Sequence, residues 1–243
     1  MELIVVSYRT ASGLLMQRQP LQHFAVYGVT GDIVPARSPV AYKNQRHLPG
    51  HFYMSRMHTH AAYESRLEMT ILLQLDFNQA VRFVVAQPCV LHYRGNSRAY
   101  HHIPDFLVGY QNGAAELINV KPRRFVETER NRRAFSACER AAIEMGWAYS
   151  TRCEMNPILL ANLKWLAAYR RPPTGLHEYG PHLMDAAQEP ISIADVIRSA
   201  PVLPSLIRPV LFHLIWMRVL DLDLHETMNE KTLVRLTSAR RPS

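Results

Sequence analysis

The 243-residue chain is short of several features, and each absence excludes a class of protein. Cysteine is scarce: Cys89, Cys138 and Cys153 are odd in number and share no CxxC spacing, which argues against a zinc ribbon or a disulfide framework and for buried, reduced thiols. No apolar run reaches the roughly 20 residues that a membrane helix needs. The apolar stretch at residues 3–6 is too short for the core of a signal peptide, so a cytoplasmic protein without a membrane partner is expected. Lysine is rare as well, standing only at positions 43, 121, 164 and 231 among 28 basic residues, which makes each lysine position informative.

What is present is arginine and a good apolar fraction. Hydrophobic residues make up 48% and charged residues 20%, the balance of a globular chain that can bury one sizeable core and a second small one. The formal charge of +8 is unevenly spread: residues 1–176 hold 21 basic and 12 acidic side chains, and residues 177–243 hold 7 and 8. The basic excess is suited to a phosphate-bearing partner, and arginine adds bidentate geometry to the attraction.

That excess surrounds three short signals. Around Glu64-Ser65-Arg66-Leu67-Glu68, the apolar positions Leu67, Ile71, Leu72 and Leu75 recur at helical spacing, which predicts a helix over residues 63–75 and turns Glu68 inward. Pro104-Asp105-Phe106-Leu107-Val108 and Ile118-Asn119-Val120-Lys121-Pro122 lie in apolar runs on either side of Gln111-Asn112-Gly113, which is turn chemistry between two strands. Asp105 and Lys121 then belong to neighbouring strands. Two carboxylates suit a hard divalent cation such as Mg2+, which takes oxygen ligands and keeps several waters. A lysine beside them orients the attacking water and offsets charge building on a phosphate. Helix carboxylate, strand carboxylate and strand lysine together are the apparatus of a metal-dependent phosphodiesterase.

These residues resemble the nuclease superfamily with a Pro-Asp, then Asp/Glu-x-Lys signature, PD-(D/E)xK. More closely, they are similar to the TnsA-type endonuclease subunit of heteromeric (Tn7-like) transposases, with Leu75-Asp76-Phe77 and Gln87-Pro88 also matching that family's pattern. The resemblance implies catalytic positions Glu68, Asp105 and Lys121, with Glu68, Asp105 and the Val120 carbonyl as ligands of Mg2+. It implies a restriction-endonuclease-like α/β fold, a mixed sheet flanked by helices. The implied activity is cleavage at the 5′ ends of a mobile element, leaving 5′-phosphate and 3′-hydroxyl ends. The implied partners are transposon-end DNA, a DDE-type transposase subunit that processes the 3′ ends, and an ATP-dependent regulator. One departure stands out: Asn119 occupies the place of the superfamily's carboxylate and of the family's Gln, and loss of charge there weakens binding of a second metal. Two other readings follow, an inert DNA-binding scaffold subunit and a restriction or repair nuclease of the same superfamily.

Other residues take supporting places. Gln87 is a candidate for orienting a water or a ligand, and Glu64, one turn before Glu68, for accepting a hydrogen bond behind it. Of His101 and His102, strand alternation allows only one to face the site. Residues 121–140 carry seven basic and three acidic side chains, and Arg123, Arg124, Arg130 and Arg133 are the candidates for contact with a DNA backbone. His58-x-His60 reads as a surface pair, because no Cys or carboxylate stands beside it.

Toward the N-terminus, residues 2–8 and 21–29 read as strands, and residues 35–60 as a polar basic loop with Arg37, Lys43, Arg46 and Arg56. Strands are expected at 81–87 and 89–93, the second doubling back through Arg94-Gly95-Asn96-Ser97, and at 147–151, with a helix closed by Gly146 between Lys121 and the last of them. The proline-rich 170–175 stretch suggests a linker, dividing the chain into an N-terminal segment (1–60), a nuclease core (61–171) and a small winged-helix-like domain (172–243). In that domain Ser192 is expected to start a helix, residues 206–218 to form another with Pro209 in its first turn, and residues 220–224 to form a half-buried strand. Its acidic balance, with Asp221 and Asp223 outward, favours a protein partner over DNA.

Overall fold

The computed structural model describes residues 4–37, 49–95 and 98–237. The chain divides into two compact units, Met1–Glu154 and Met155–Ser243. In the first, the elements run β1 (Val5–Thr10), β2 (Leu15–Pro20), α1 (Leu21–Thr30), β3 (Ile33–Val34), β4 (Gly50–Met54), β5 (Thr59–Tyr63), α2 (Arg66–Phe77), β6 (Val81–Ala86), β7 (Cys89–Arg94), β8 (Ala99–His102), β9 (Phe106–Tyr110), β10 (Ala115–Val120), α3 (Arg123–Val126), α4 (Glu129–Glu144) and β11 (Ala148–Arg152). The expected start of β1 at Glu2, the basic loop residues Lys43 and Arg46, and Asn96 and Ser97 of the β7–β8 turn lie outside the described residues.

The sheet that carries the second and third signals has the order β11-β10-β9-β6 and is mixed, with β10 and β11 parallel and the other neighbours antiparallel. A second sheet, β2-β1-β7-β8 with β3 beside β1, is wholly antiparallel, and β4 pairs with β5 in a hairpin. The β9–β10 hairpin forms where the turn residues stand: Gly113 takes a left-handed φ of 83°, and the Asn112 side chain accepts a hydrogen bond from the Ala114 amide at 3.1 Å. Its register pairs Leu107 with Leu117 and Phe106 with Ile118, so successive pairs point to opposite faces. Leu107 and Leu117 enter a core shared with Val6, Tyr8, Leu21, Phe24, Cys138 and Ala141. Alternate apolar positions of β9 and β10 supply the other face, and α2, none of whose residues enters that core, packs against β10.

Residues 21–29 form a helix rather than the expected strand. Leu21, Phe24 and Gly28 are its buried positions, a spacing of three and four that lays one stripe on the core, and Gly31 at φ 82° ends it. Because β1 and α1 fill the same core as β9, β10 and α4, residues 1–60 do not form a separate segment. α4 follows expectation, burying Ala134, Phe135, Ala137, Cys138, Ala141 and Ala142 and ending before Gly146.

The second unit contains α5 (Pro157–Leu166), α6 (Leu176–Ala186), β12 (Ile191–Ser192), α7 (Ile193–Ser199), α8 (Pro204–Trp216), β13 (Leu220–Asp221) and β14 (Leu233–Leu236), with sheet order β12-β14-β13. α5 belongs here because the buried Asn162 amide donates to the carbonyls of Leu224 and Glu226, so the proline-rich stretch lies inside a unit and not between two. Ser192 caps α7 as expected, accepting from the Asp195 amide. α8 starts earlier than expected, which puts Pro209 in its second turn; the carbonyl deprived of its donor is that of the exposed Ser205, which water can satisfy. The expected strand at 220–224 is cut to Leu220–Asp221 because the Asp223 carboxylate caps the His225 amide at 2.8 Å, although Leu220, Leu222 and Leu224 remain the buried positions. Among the described residues no helix is long and apolar enough to cross a membrane.

The fit of α1 against Trp147, which lies between α4 and β11, has a measurable consequence. A Cβ on Gly28 would lie 2.1 Å from the Trp147 ring. Gly→Ala inside a helix ordinarily stabilises by about 1 kcal/mol; here overpacking is expected to reverse the sign, so that Gly28→Ala destabilises by about 1–3 kcal/mol in urea denaturation.

Candidate active site

Asp105 follows β8 and immediately precedes β9, and backbone bonds fix it on both sides. Its amide donates to the Ile118 carbonyl at 3.0 Å, and its carbonyl accepts from the Gln87 amide at 2.8 Å. The carboxylate then reaches across to β10, where Oδ2 accepts from the Val120 amide at 2.6 Å. Burial pushes its pKa from 3.8 up to about 7, and the negative charges of Glu68 and Glu64 add to that shift, whereas the Val120 amide and the Lys121 ammonium oppose it. Three carboxylates and one ammonium therefore share an electrostatic neighbourhood, although they are distant along the chain.

Glu68 lies in the first turn of α2, which begins later than expected. Ser65 is the N-cap: its Oγ accepts from the Glu68 amide at 3.2 Å and donates to Glu68 Oε1 at 2.7 Å, while Glu68 Oε2 accepts from the Glu64 amide at 2.7 Å. Glu64 consequently stands before the helix, not one turn along it. Its two oxygens accept from Arg37 Nη2 at 2.7 and 2.8 Å, and Arg37 Nε donates to the Gln87 side chain at 3.0 Å. Gln87 is buried, with a left-handed φ of 48°, so it is held from both ends: by Arg37 through its side chain and by Asp105 through its amide. The role of Arg37 was not legible, because its partners stand 27 and 50 positions away.

Asn119 lies on β10, beside the Val120 whose amide binds Asp105, and is fully buried. Its Oδ1 lies 2.8 Å from His102 Nε2, and its Nδ2 donates to the Tyr149 hydroxyl at 3.0 Å, which in turn lies 3.0 Å from Thr151 Oγ1. His102 is therefore the histidine that turns inward, with His101 exposed, as alternation requires. Lys121 follows β10 directly; its amide donates to the Arg152 carbonyl at 2.9 Å, and its charge acts on both Asp105 and His102.

Lys121 and His102 line a cleft of about 1060 Å³ whose other walls include Arg98, Tyr100, Arg130 and Arg133. Of the four arginines marked for DNA, Arg130 and Arg133 are on this cleft. Arg133 pairs with Glu129 at 2.9 Å and donates to the Tyr100 hydroxyl. Arg123 and Arg124 are exposed on α3 beyond it, Arg124 lying 4.7 Å over the Phe125 ring. Arg56 of the basic loop is instead bound to the Asn78 and Gln79 carbonyls. Among the described residues no three of His, Cys, Asp and Glu are grouped so as to hold a metal ion by themselves. Asp105 and Glu68 bring two carboxylates into one electrostatic neighbourhood, the hard-oxygen donor chemistry taken by a cation that keeps part of its hydration shell.

Comparison with known families gives one match: residues 78–154 fit the model of the TnsA-like endonuclease N-terminal domain. The match covers part of the chain, contains Asp105, Asn119 and Lys121, and supports a TnsA-type nuclease. No curated protein matches the chain.

The state of Asp105 sets a pH dependence. Its carboxyl ionises at about 7 when folded and near its usual 3.8 when unfolded, so between those values the folded chain holds a proton that the unfolded chain has lost. Stability therefore falls as pH rises from about 4 to about 7 and then levels off. In metal-free buffer Asp105→Asn, which keeps an acceptor for the Val120 amide, is expected to stabilise more at pH 8 than at pH 4, by up to about 4 kcal/mol. Urea midpoints at the two pH values measure it; an equal change at both would contradict a raised Asp105.

Proposed function

We propose that this protein is the Mg2+-dependent endonuclease subunit of a heteromeric, Tn7-like transposase, cutting the 5′ ends of a mobile element in concert with a DDE-type transposase and under an ATP-dependent regulator. The observation that carries the reading is the buried Asp105 carboxylate, which shares its surroundings with Glu68 and Lys121; Asp105 and Lys121 lie inside the segment matched by the TnsA-like endonuclease N-terminal domain, and Glu68 ten residues before it.

Asp105, Glu68 and the Val120 carbonyl would hold the cation, which when bound supplies positive charge to the scissile phosphate. Lys121 orients water on the same phosphate and stabilises the charge that develops there. Arg130 and Arg133 bind flanking phosphates along the cleft, and Arg123 and Arg124 extend that contact on α3. Asn119 carries no charge and its amide is engaged within the protein, which favours a single cation over a pair. The second unit, with its helix, helix, strand, helix, helix, strand, strand order and its last strand between the other two, is read as winged-helix-like. It holds 10 basic and 8 acidic side chains against 18 and 12 in the first unit, and this weaker basic excess assigns it to the protein partners rather than to DNA.

Nicking of transposon-end DNA with Mg2+ and the partner transposase is the test. Asp105→Ala and Lys121→Ala are each expected to lose about 100-fold or more; wild-type rates from either would sink the assignment. An inert scaffold subunit is separated by calorimetry with Mn2+. The nuclease reading expects binding that Glu68→Gln weakens while the helix cap survives, whereas a scaffold gives no binding to lose.

A further inference from the structure

We propose that His102 is the general base of this site: anchored by Asn119, it presents Nδ1 to the cleft beside Lys121 and takes the proton of the water that attacks the phosphodiester. The inference rests on the nuclease reading and concerns what replaces the carboxylate that Asn119 lacks.

Asn119 makes the tautomer specific. Its Nδ2 is committed as a donor to Tyr149, and its Oδ1, 2.8 Å from His102 Nε2, can only accept. His102 Nε2 must therefore carry the hydrogen, which leaves Nδ1 as the lone-pair nitrogen of a neutral ring. Among the described residues Nδ1 has no hydrogen-bond partner; beyond Asn119, the ring's recorded contact is the edge of Phe135, with centroids 6.1 Å apart. The ring belongs to the cleft wall together with Lys121 and Arg130. Burial holds its pKa below the usual value, the Asn119 bond opposes that, and the positive charges of Lys121 and Arg130, with His101, reinforce it. A neutral acceptor thus stands among cations that attract phosphate.

The other acceptors nearby have other roles: Asp105 and Glu68 are the proposed cation ligands, Glu129 is paired with Arg132 and Arg133, and the Tyr100 hydroxyl accepts from Arg133. In the reaction a water oxygen bonds to phosphorus, its proton passes to Nδ1, the P–O3′ bond breaks, and O3′ takes a proton from solvent. His102 then returns its proton to solvent, so the site is regenerated. Asn119 is a positioning residue that acts through the ring it orients.

His102→Gln keeps a donor to Asn119 Oδ1 and removes the base. With the partner transposase, transposon-end DNA and Mg2+, it is expected to retain DNA binding and melting temperature, to nick about 100-fold or more slowly, and to change the acidic limb of the wild-type pH–rate profile to the part that Asp105 sets. Independently of activity, long-range 15N–1H spectra of the wild-type imidazoles at neutral pH are expected to show His102 protonated on Nε2. Nicking that depends on Asp105 yet survives His102→Gln, or a ring protonated on Nδ1, overturns the proposal alone. Wild-type protein that does not nick, or nicks equally with Asp105→Ala, overturns the nuclease reading and this inference with it.

Discussion

A single hydrogen bond, from the Val120 amide to the Asp105 carboxylate at 2.6 Å, ties the end of β10 to the start of β9. The arrangement of the site depends on it. Asp105 immediately precedes β9 and is held by backbone bonds to Ile118 and Gln87. The bond to Val120 then fixes the direction of the carboxylate and partly offsets the cost of withdrawing it from water. A carboxylate kept this far from solvent beside two others is poorly satisfied by the protein alone. That deficit is what a cation, or a proton, resolves.

The other residues extend the same constraint outward. Ser65 starts α2 at the point that brings the Glu68 carboxylate back over the helix end, and Arg37 neutralises Glu64 while bracing Gln87. On the other side of Asn119, Tyr149, Thr151 and His102 form a hydrogen-bonded chain that satisfies a fully buried amide. Asn119 is thus a buried structural amide, bonded on both sides within the protein.

Much of this was legible in the sequence, for identifiable reasons. Asp105 and Lys121 could be placed at the two strand ends because apolar runs flank the Gln111-Asn112-Gly113 turn, and strand alternation alone separates His101 from His102. Local signals misled where a tertiary surface decides. Residues 21–29 contain enough Val, Phe and Tyr to read as a strand, but Leu21, Phe24 and Gly28 pack as one stripe against a core that lies far along the chain. Glu64 could be read as helical because a periodicity of apolar residues does not reveal which Ser ends it. The Arg37 bridge and the membership of α5 in the second unit rest on contacts between distant residues, for which no local pattern exists.

The central claim is that Asp105 and Glu68 open onto one cation pocket served by Lys121. Anomalous diffraction from crystals grown with Mn2+ tests it most directly. The account predicts a peak within coordination distance of the Asp105 and Glu68 carboxylates, absent from Asp105→Asn crystals. A saturating Mn2+ soak that leaves these carboxylates without a peak, or places the ion elsewhere on the molecule, would contradict it.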